Sequence, residues 1–207
     1  MVDRRSTAIV VAATLGWPVA MSRWLLPDFY VALALLASSL LVAILIVQRK
    51  RLRGWFALDG RGLAIGLVGG LVQAGLTHAG YHLVAIRIPA IQQQVVALYD
   101  LMGTGMGPMR ALPIVVLAIV VEELVWRGVA FESATGSQRT WLAGLVSALL
   151  YTAAQAGSGS WALATTAFVC GWVWWGARVW GKSLTPPILM HLVWSLVVLV
   201  FLPLETG

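Results

Sequence analysis

The sequence predicts an all-α fold, a polytopic membrane helical bundle of about seven transmembrane helices with a cytoplasmic N-terminus. Three observations predict it. Of the 207 residues, 60% are hydrophobic and 11% charged, and the mean hydropathy is +0.88; a water-soluble domain carries roughly 45–50% apolar and about 25% charged residues. The apolar residues fall in seven runs near membrane-spanning length, and the lysines and arginines gather on one side of those runs. The same composition excludes a disordered chain. The single cysteine, Cys170, excludes an intrachain disulfide framework.

A membrane helix needs about 20 apolar residues at 1.5 Å rise each. The runs are Thr7–Met21, Leu25–Val47, Gly62–Ile86, Ala111–Phe131, Trp141–Gly157, Trp161–Val179 and Ile188–Leu204. They use most of the chain and leave no room for a separate soluble domain. Neither an internal repeat nor a low-complexity tract is present. Residues 1–61 read as an N-terminal membrane helix pair with a basic cytoplasmic loop, and residues 62–207 as the membrane core, with its chemistry in 111–204. Arg4 and Arg5 precede the first run as in a signal peptide, but Pro18 and Ala20 make a poor cleavage end, so a retained helix is expected.

Orientation follows from the cations. With the N-terminus inside, the inner loops and helix ends hold Arg4, Arg5, Arg49, Lys50, Arg51, Arg53, Arg61, Arg127, Arg139, Arg178 and Lys182. The outer side holds only Arg23, Arg87 and Arg110. This is the positive-inside asymmetry, and it sets the orientation; the expected location is a cell membrane crossed several times, that of the bacterial inner membrane. Arg49–Arg53 is then a topology anchor near anionic headgroups, and no nucleic-acid partner is expected. Trp17, Trp24 and Trp161 are expected at one interface and Trp55, Trp141 and Trp180 at the other, as an aromatic belt.

In the outer connection Arg87–Arg110, residues Ile91, Val95, Leu98, Tyr99 and Met102 share a helical face, while Gln92, Gln93 and Asp100 do not. An interfacial helix is expected there. The glycine-rich Gly103–Pro108 that ends it neither follows a strand nor opens a phosphate-binding turn, so it is given no nucleotide role.

Glu122 and Glu123 are adjacent in the otherwise apolar run Leu112–Val129. A charged residue at a membrane helix centre costs about 2.5–3.5 kcal/mol on insertion scales, so two together require protein or water partners. Neighbours on a helix point about 100° apart, so the two acids need not share a role. Arg127 is four residues beyond Glu123 and positioned to pair with it, which leaves Glu122 as the acid without a partner. A buried ion network that only holds helices together is the competing reading. His191 and Ser195 are one turn apart on the last helix, and Tyr151 and Gln155 are one turn apart on the fifth; each alone reads as interhelical hydrogen bonding.

Glu122-Glu123-Leu124-Val125-Trp126-Arg127 matches an EExxxR motif. In this the chain resembles the type II CAAX-protease and bacteriocin-processing family of glutamic intramembrane proteases. That family shows FxxxH on the following helix and HxxxN, or a close variant, on a later one. Tyr151-Thr152-Ala153-Ala154-Gln155 and His191-Leu192-Val193-Trp194-Ser195 stand in those places, in the right order. The resemblance covers about 111–204. It implies a metal-independent membrane endopeptidase without cofactor. Glu122 would be the general base that activates water, and Glu123 and Arg127 its support. His191 would be the oxyanion or proton partner, with Tyr151 and Ser195 supporting. The implied substrate is a lipidated, bacteriocin-like or sorting-signal peptide, and membrane lipids are the other partners. Gln155 stands where the family has histidine and Ser195 where it has asparagine. Gln155 can hold a water but cannot take up a proton near neutral pH. A non-catalytic relative that binds such peptides, for immunity or as a scaffold, is therefore the second reading. A transporter is the third, though it lacks repeats.

On straight helices the three candidate residues do not share a depth. Glu122 lies ~14 Å from the inner end of its helix, Gln155 ~21 Å and His191 ~5 Å. The last helix is therefore expected to start recessed, in a cavity open to the cytoplasm. His78 and His82, one turn apart on the third helix, read as interhelical or interface histidines. His78, at Gln155's depth, is the residue placed to replace the motif histidine. No HExxH pattern marks them as a metal pair. Cys170 reads as a packing residue.

Overall fold

The computed structural model describes residues 3–22, 26, 28–103, 105–135 and 139–204, and among these its regular structure is all helix, without strands. The helices are α1 (Arg4–Ser22), α2 (Phe29–Val47), α3 (Arg49–Trp55), α4 (Gly60–Leu83), α5 (Pro89–Gly103), α6 (Gly107–Arg110), α7 (Leu112–Glu123), α8 (Phe131–Thr135), α9 (Thr140–Gln155), α10 (Trp161–Gly181) and α11 (Thr185–Ser195). Helix α7 runs on into α8 through a wider, π-helical stretch, Leu124–Ala130, and α11 ends in another, Leu196–Phe201. Arg23, Trp24 and Thr104, on which part of the charge, belt and loop expectations fell, lie outside the described residues.

Short polar side chains start the helices where the sequence leaves the apolar runs. Asp28 accepts from the N–H groups of Tyr30 and Val31, Asp59 from that of Gly62, and Ser160 from that of Leu163. Each satisfies an orphan donor of a first turn. Pro186 and Pro187 occupy the first turn of α11, where their missing N–H groups cost nothing.

Two helices are long and apolar enough to cross a membrane by length and composition, Phe29–Val47 and the extended Gly60–Arg87. Their outward faces are apolar, with Leu35, Val42 and Ile46 on α2 and Leu67, Leu71 and Leu76 on α4 all exposed. The other expected runs are helical too, but α9 has only 16 residues, ~24 Å against a hydrocarbon core of about 30 Å. The aromatic belt is corrected in part. Trp141, Trp161 and Trp180 are exposed, but Trp17 and Trp55 are buried and belong to the core.

A four-residue glycine ladder brings α4 and α11 together. A Cβ at Gly66 would stand 2.6 Å from the Leu189 Cβ, and one at Gly70 2.6 Å from the Val193 Cβ. The missing side chains allow backbone contact that a helix with larger residues would prevent. Helix α11, with His191, is thereby fixed against α4.

The bundle has two unlike ends. One carries α3, α8, the start of α9 and the start of α11. There Trp55 is buried, its Nε1 donates to Glu132 (2.6 Å), and its carbonyl accepts from Leu184 N (2.6 Å). Residues 183–188 are buried beneath it, so the last helix does start recessed. At the other end α5 lies across the bundle. Tyr30 Oη donates to the Met102 carbonyl (2.6 Å), and Tyr99 Oη donates to the Val198 carbonyl (2.6 Å) and accepts from Leu204 N (3.0 Å).

Candidate active site

Helix α7 delivers Glu122 and Glu123 to the middle of the bundle, where both are buried. One oxygen of Glu123 accepts from Arg127 Nη1 at 3.1 Å and stands 2.8 Å from His191 Nδ1. Glu122 points elsewhere, as the 100° step between neighbours requires. Its Oε1 accepts from Gln155 Nε2 at 2.6 Å, and its Oε2 lies 3.7 Å from His191 Nε2. Glu122 has its partners outside its own helix. They arrive from α9 and α11, 33 and more residues away, beyond the reach of an i,i+4 rule.

Arg127 is fully buried and lies between two rings, its guanidinium carbon 4.7 Å from the Tyr151 ring centre and 5.0 Å from that of Trp174. Cation–π contact is worth most where, as here, the cation is desolvated. The π-helical stretch begins just after Glu123 and includes Arg127. It frees the Trp126 carbonyl, which accepts from Ser147 Oγ at 2.7 Å. Such widened turns recur at functional sites because they re-aim side chains.

His191 is held on both faces of the problem, by hydrogen bond and by stacking. Its ring lies parallel to Trp174 with centres 3.6 Å apart. Trp174 is in turn fixed by Nε1 donating to Gln73 Oε1 (3.0 Å), while the Gln73 amide donates to Cys170 Sγ (3.0 Å). Trp174 and Gln73 were missed in the sequence. Their only signal was a lone amide in an apolar span and one tryptophan among several. Cys170 is buried.

A cavity of about 200 Å³ reaches this cluster. Glu122, Tyr151, Gln155, His191 and Ser195 line it, and it continues past Trp17 and Leu33 to Tyr30, Tyr99, Met102, Ser160 and Leu204. It thus opens toward the end covered by α5. The expectation of a cavity open at the basic end is corrected, because the recess at the start of α11 is filled by Trp55. The depth mismatch is resolved as well. Beyond Gln155 the chain is drawn in against α1, where a side chain at Gly157 would overlap Pro18. Helix α9 therefore stops inside the bundle, at the level of Glu122.

The interfacial helix became α5, with Val95, Leu98, Tyr99 and Met102 facing the cavity and Asp100 exposed. His78 and His82 stack on each other with ring centres 6.0 Å apart and do not line the cavity, so the structure does not put His78 in the place of the motif histidine. Among the described residues no group of three or more His, Cys, Asp or Glu has the geometry to hold a metal ion.

Residues 104–197 match the family model described as type II CAAX prenyl endopeptidase Rce1-like. The matched segment begins at the α5–α6 connection and ends just beyond Ser195, so it contains the whole cluster around Glu122. No match was found to a curated protein or to a solved structure.

Proposed function

We infer from the Rce1-like domain at residues 104–197 that this chain is a multi-pass membrane endopeptidase of the glutamic type. In this reading it spans the bacterial inner membrane seven times with its N-terminus inside. It hydrolyses a membrane-proximal or C-terminal peptide bond in a lipidated, bacteriocin-like or sorting-signal substrate, without metal or cofactor. The observation that carries it is the arrangement around Glu122: one carboxylate oxygen held by Gln155 at 2.6 Å, the other 3.7 Å from His191 Nε2, and the Tyr151 hydroxyl bonded to the same carboxyl, at the base of a cavity.

The chemistry follows from that geometry. A water placed against Glu122 Oε2 can also reach His191 Nε2, since two hydrogen bonds of about 2.8 Å span such a gap. Glu122 takes one proton as the water oxygen attacks the peptide carbonyl carbon. The carbonyl electrons move to oxygen, and the oxyanion accepts from His191 Nε2–H. Glu123 fixes the ring by accepting from Nδ1–H and stabilises the imidazolium. Glu122 then returns its proton to the leaving nitrogen as the C–N bond breaks, giving a free carboxylic acid and a free amine. Two carboxylates with only Arg127 between them leave one negative charge. One further proton, held on His191 when Glu122 acts as base, makes the buried cluster neutral, which is the state a low dielectric favours. Tyr151 and Trp174 position Arg127 and His191.

The test is cleavage of a library of tagged, membrane-inserted C-terminal peptides by the purified chain, read by mass spectrometry. Products that vanish with Glu122→Gln and persist with a zinc chelator support the reading. The direct Gln155–Glu122 hydrogen bond favours a second reading, a non-catalytic relative that binds such peptides. Capture of peptides without cleavage, alike in wild type and Glu122→Gln, would establish it.

A further inference from the structure

The two ends of the bundle differ in charge. Among the described residues outside the core, the end away from α5 carries every lysine and arginine except Arg87 and Arg110. The α5 end balances those two with Asp28 and Asp100. By the positive-inside rule the α3 end is cytoplasmic and the α5 end faces outward.

The cytoplasmic end is closed over the cluster. Trp55 lies against Gly128, where a Cβ would come within 3.0 Å of the ring. Glu132 binds Trp55 Nε1 at 2.6 Å and Arg178 Nη2 at 3.5 Å, and the Trp55 carbonyl holds the start of α11. Between this plug and Glu122 the residues Val125, Val129, Ala130 and Leu184 are all buried, and none lines the cavity.

The outward end is where the cavity leads. Its walls are mostly apolar and aromatic. Gln94 of α5 also lines it, with a buried Oε1 that has no hydrogen-bond partner. An extended peptide brings N–H groups that need acceptors once they leave water. An apolar peptide segment thus meets an apolar wall, one waiting acceptor, and Glu122 at the base.

We propose that this site faces the extracytoplasmic side and takes exported peptides, an apolar segment entering beneath α5 with Gln94 accepting from its backbone. This rests on the endopeptidase reading for the cleavage step, but not for the facing. A tail presented in the cytoplasm would meet the Trp55 plug instead.

Facing is tested by a membrane-impermeant maleimide on intact bacteria expressing full-length Asp100→Cys or Arg53→Cys, both positions being exposed. Asp100→Cys should label in intact cells and Arg53→Cys only after permeabilisation; the reverse overturns the proposal. Substrate access is tested with an apolar, quenched-fluorescent peptide added to right-side-out and inside-out membrane vesicles. Cleavage should occur in right-side-out vesicles and fall at least ~5-fold with Gln94→Leu, a single lost hydrogen bond being worth about that factor. Cleavage confined to inside-out vesicles overturns the facing and leaves the endopeptidase intact. Cleavage in neither, nor in detergent, overturns the endopeptidase, while the labelling still decides the facing.

Discussion

Gln155 donates its side-chain amide to Glu122 across 2.6 Å, tying the end of α9 to the end of α7. The bond occupies Oε1 and turns Oε2 toward His191. Gln155→Leu would leave Oε1 buried without a donor, so cleavage should fall about 10-fold or more, the worth of a hydrogen bond to a charged group. Gln155→His should be tolerated, since an imidazole N–H can replace the amide donor. Steady-state cleavage of a tagged peptide separates the two. Equal activity in Gln155→Leu and wild type would remove Gln155 from the site.

Glu122→Gln keeps shape and burial but removes the base. Cleavage should drop at least ~10²-fold, the low end for loss of a general base. The unfolding midpoint in detergent should hardly move, because Gln can still accept from Gln155. Retained cleavage with an intact fold would exclude the mechanism.

Glu123 is a different kind of residue. It is the acid within reach of Arg127 and also orients His191. Glu123→Gln strands a buried guanidinium, and breaking a buried pair costs about 3–5 kcal/mol. The loss should appear as a lower midpoint in denaturant titrations of the detergent-solubilised protein. Arg127→Met added to Glu123→Gln should restore part of it, giving a coupling energy in the double-mutant cycle. Additive losses would show that the pair does not hold the fold.

Much of this was legible in the sequence for reasons that can be named. Two acids in an apolar run cannot stand alone in lipid, and Arg127 at i+4 identified the partner of Glu123. The face shared by Val95, Leu98, Tyr99 and Met102 marked α5. What could not be read depends on long-range packing. Trp17 and Trp55 have the composition of belt residues, and only the bundle decides that they lie inside. The widened turn at Leu124–Ala130 shifts side-chain phase without any residue that announces it. The direction in which the cavity opens follows from Trp55 filling one recess and Gly157 letting α9 end early against Pro18, contacts between segments over a hundred residues apart.

The glycine ladder offers a test with its own control. On α4 a Cβ at Gly70 would lie 2.6 Å from Val193 Cβ and 2.9 Å from the Met190 carbonyl, whereas a Cβ at Gly75 would meet nothing within 4 Å. Gly70→Ala must therefore push α11 away, and Met190 and Val193 flank His191 in that helix. Overpacking of this kind costs about 1–3 kcal/mol. A shift of roughly 1 Å in a reacting group can cost up to about 10²-fold in rate, so kcat should fall even where the protein remains folded. Gly75→Ala should leave kcat unchanged and stabilise by up to about 1 kcal/mol, through helix propensity alone. Unfolding midpoints and kcat measured on the two variants check both arms. If the alanines behave alike, contact with α4 is not what places His191 beside Glu122.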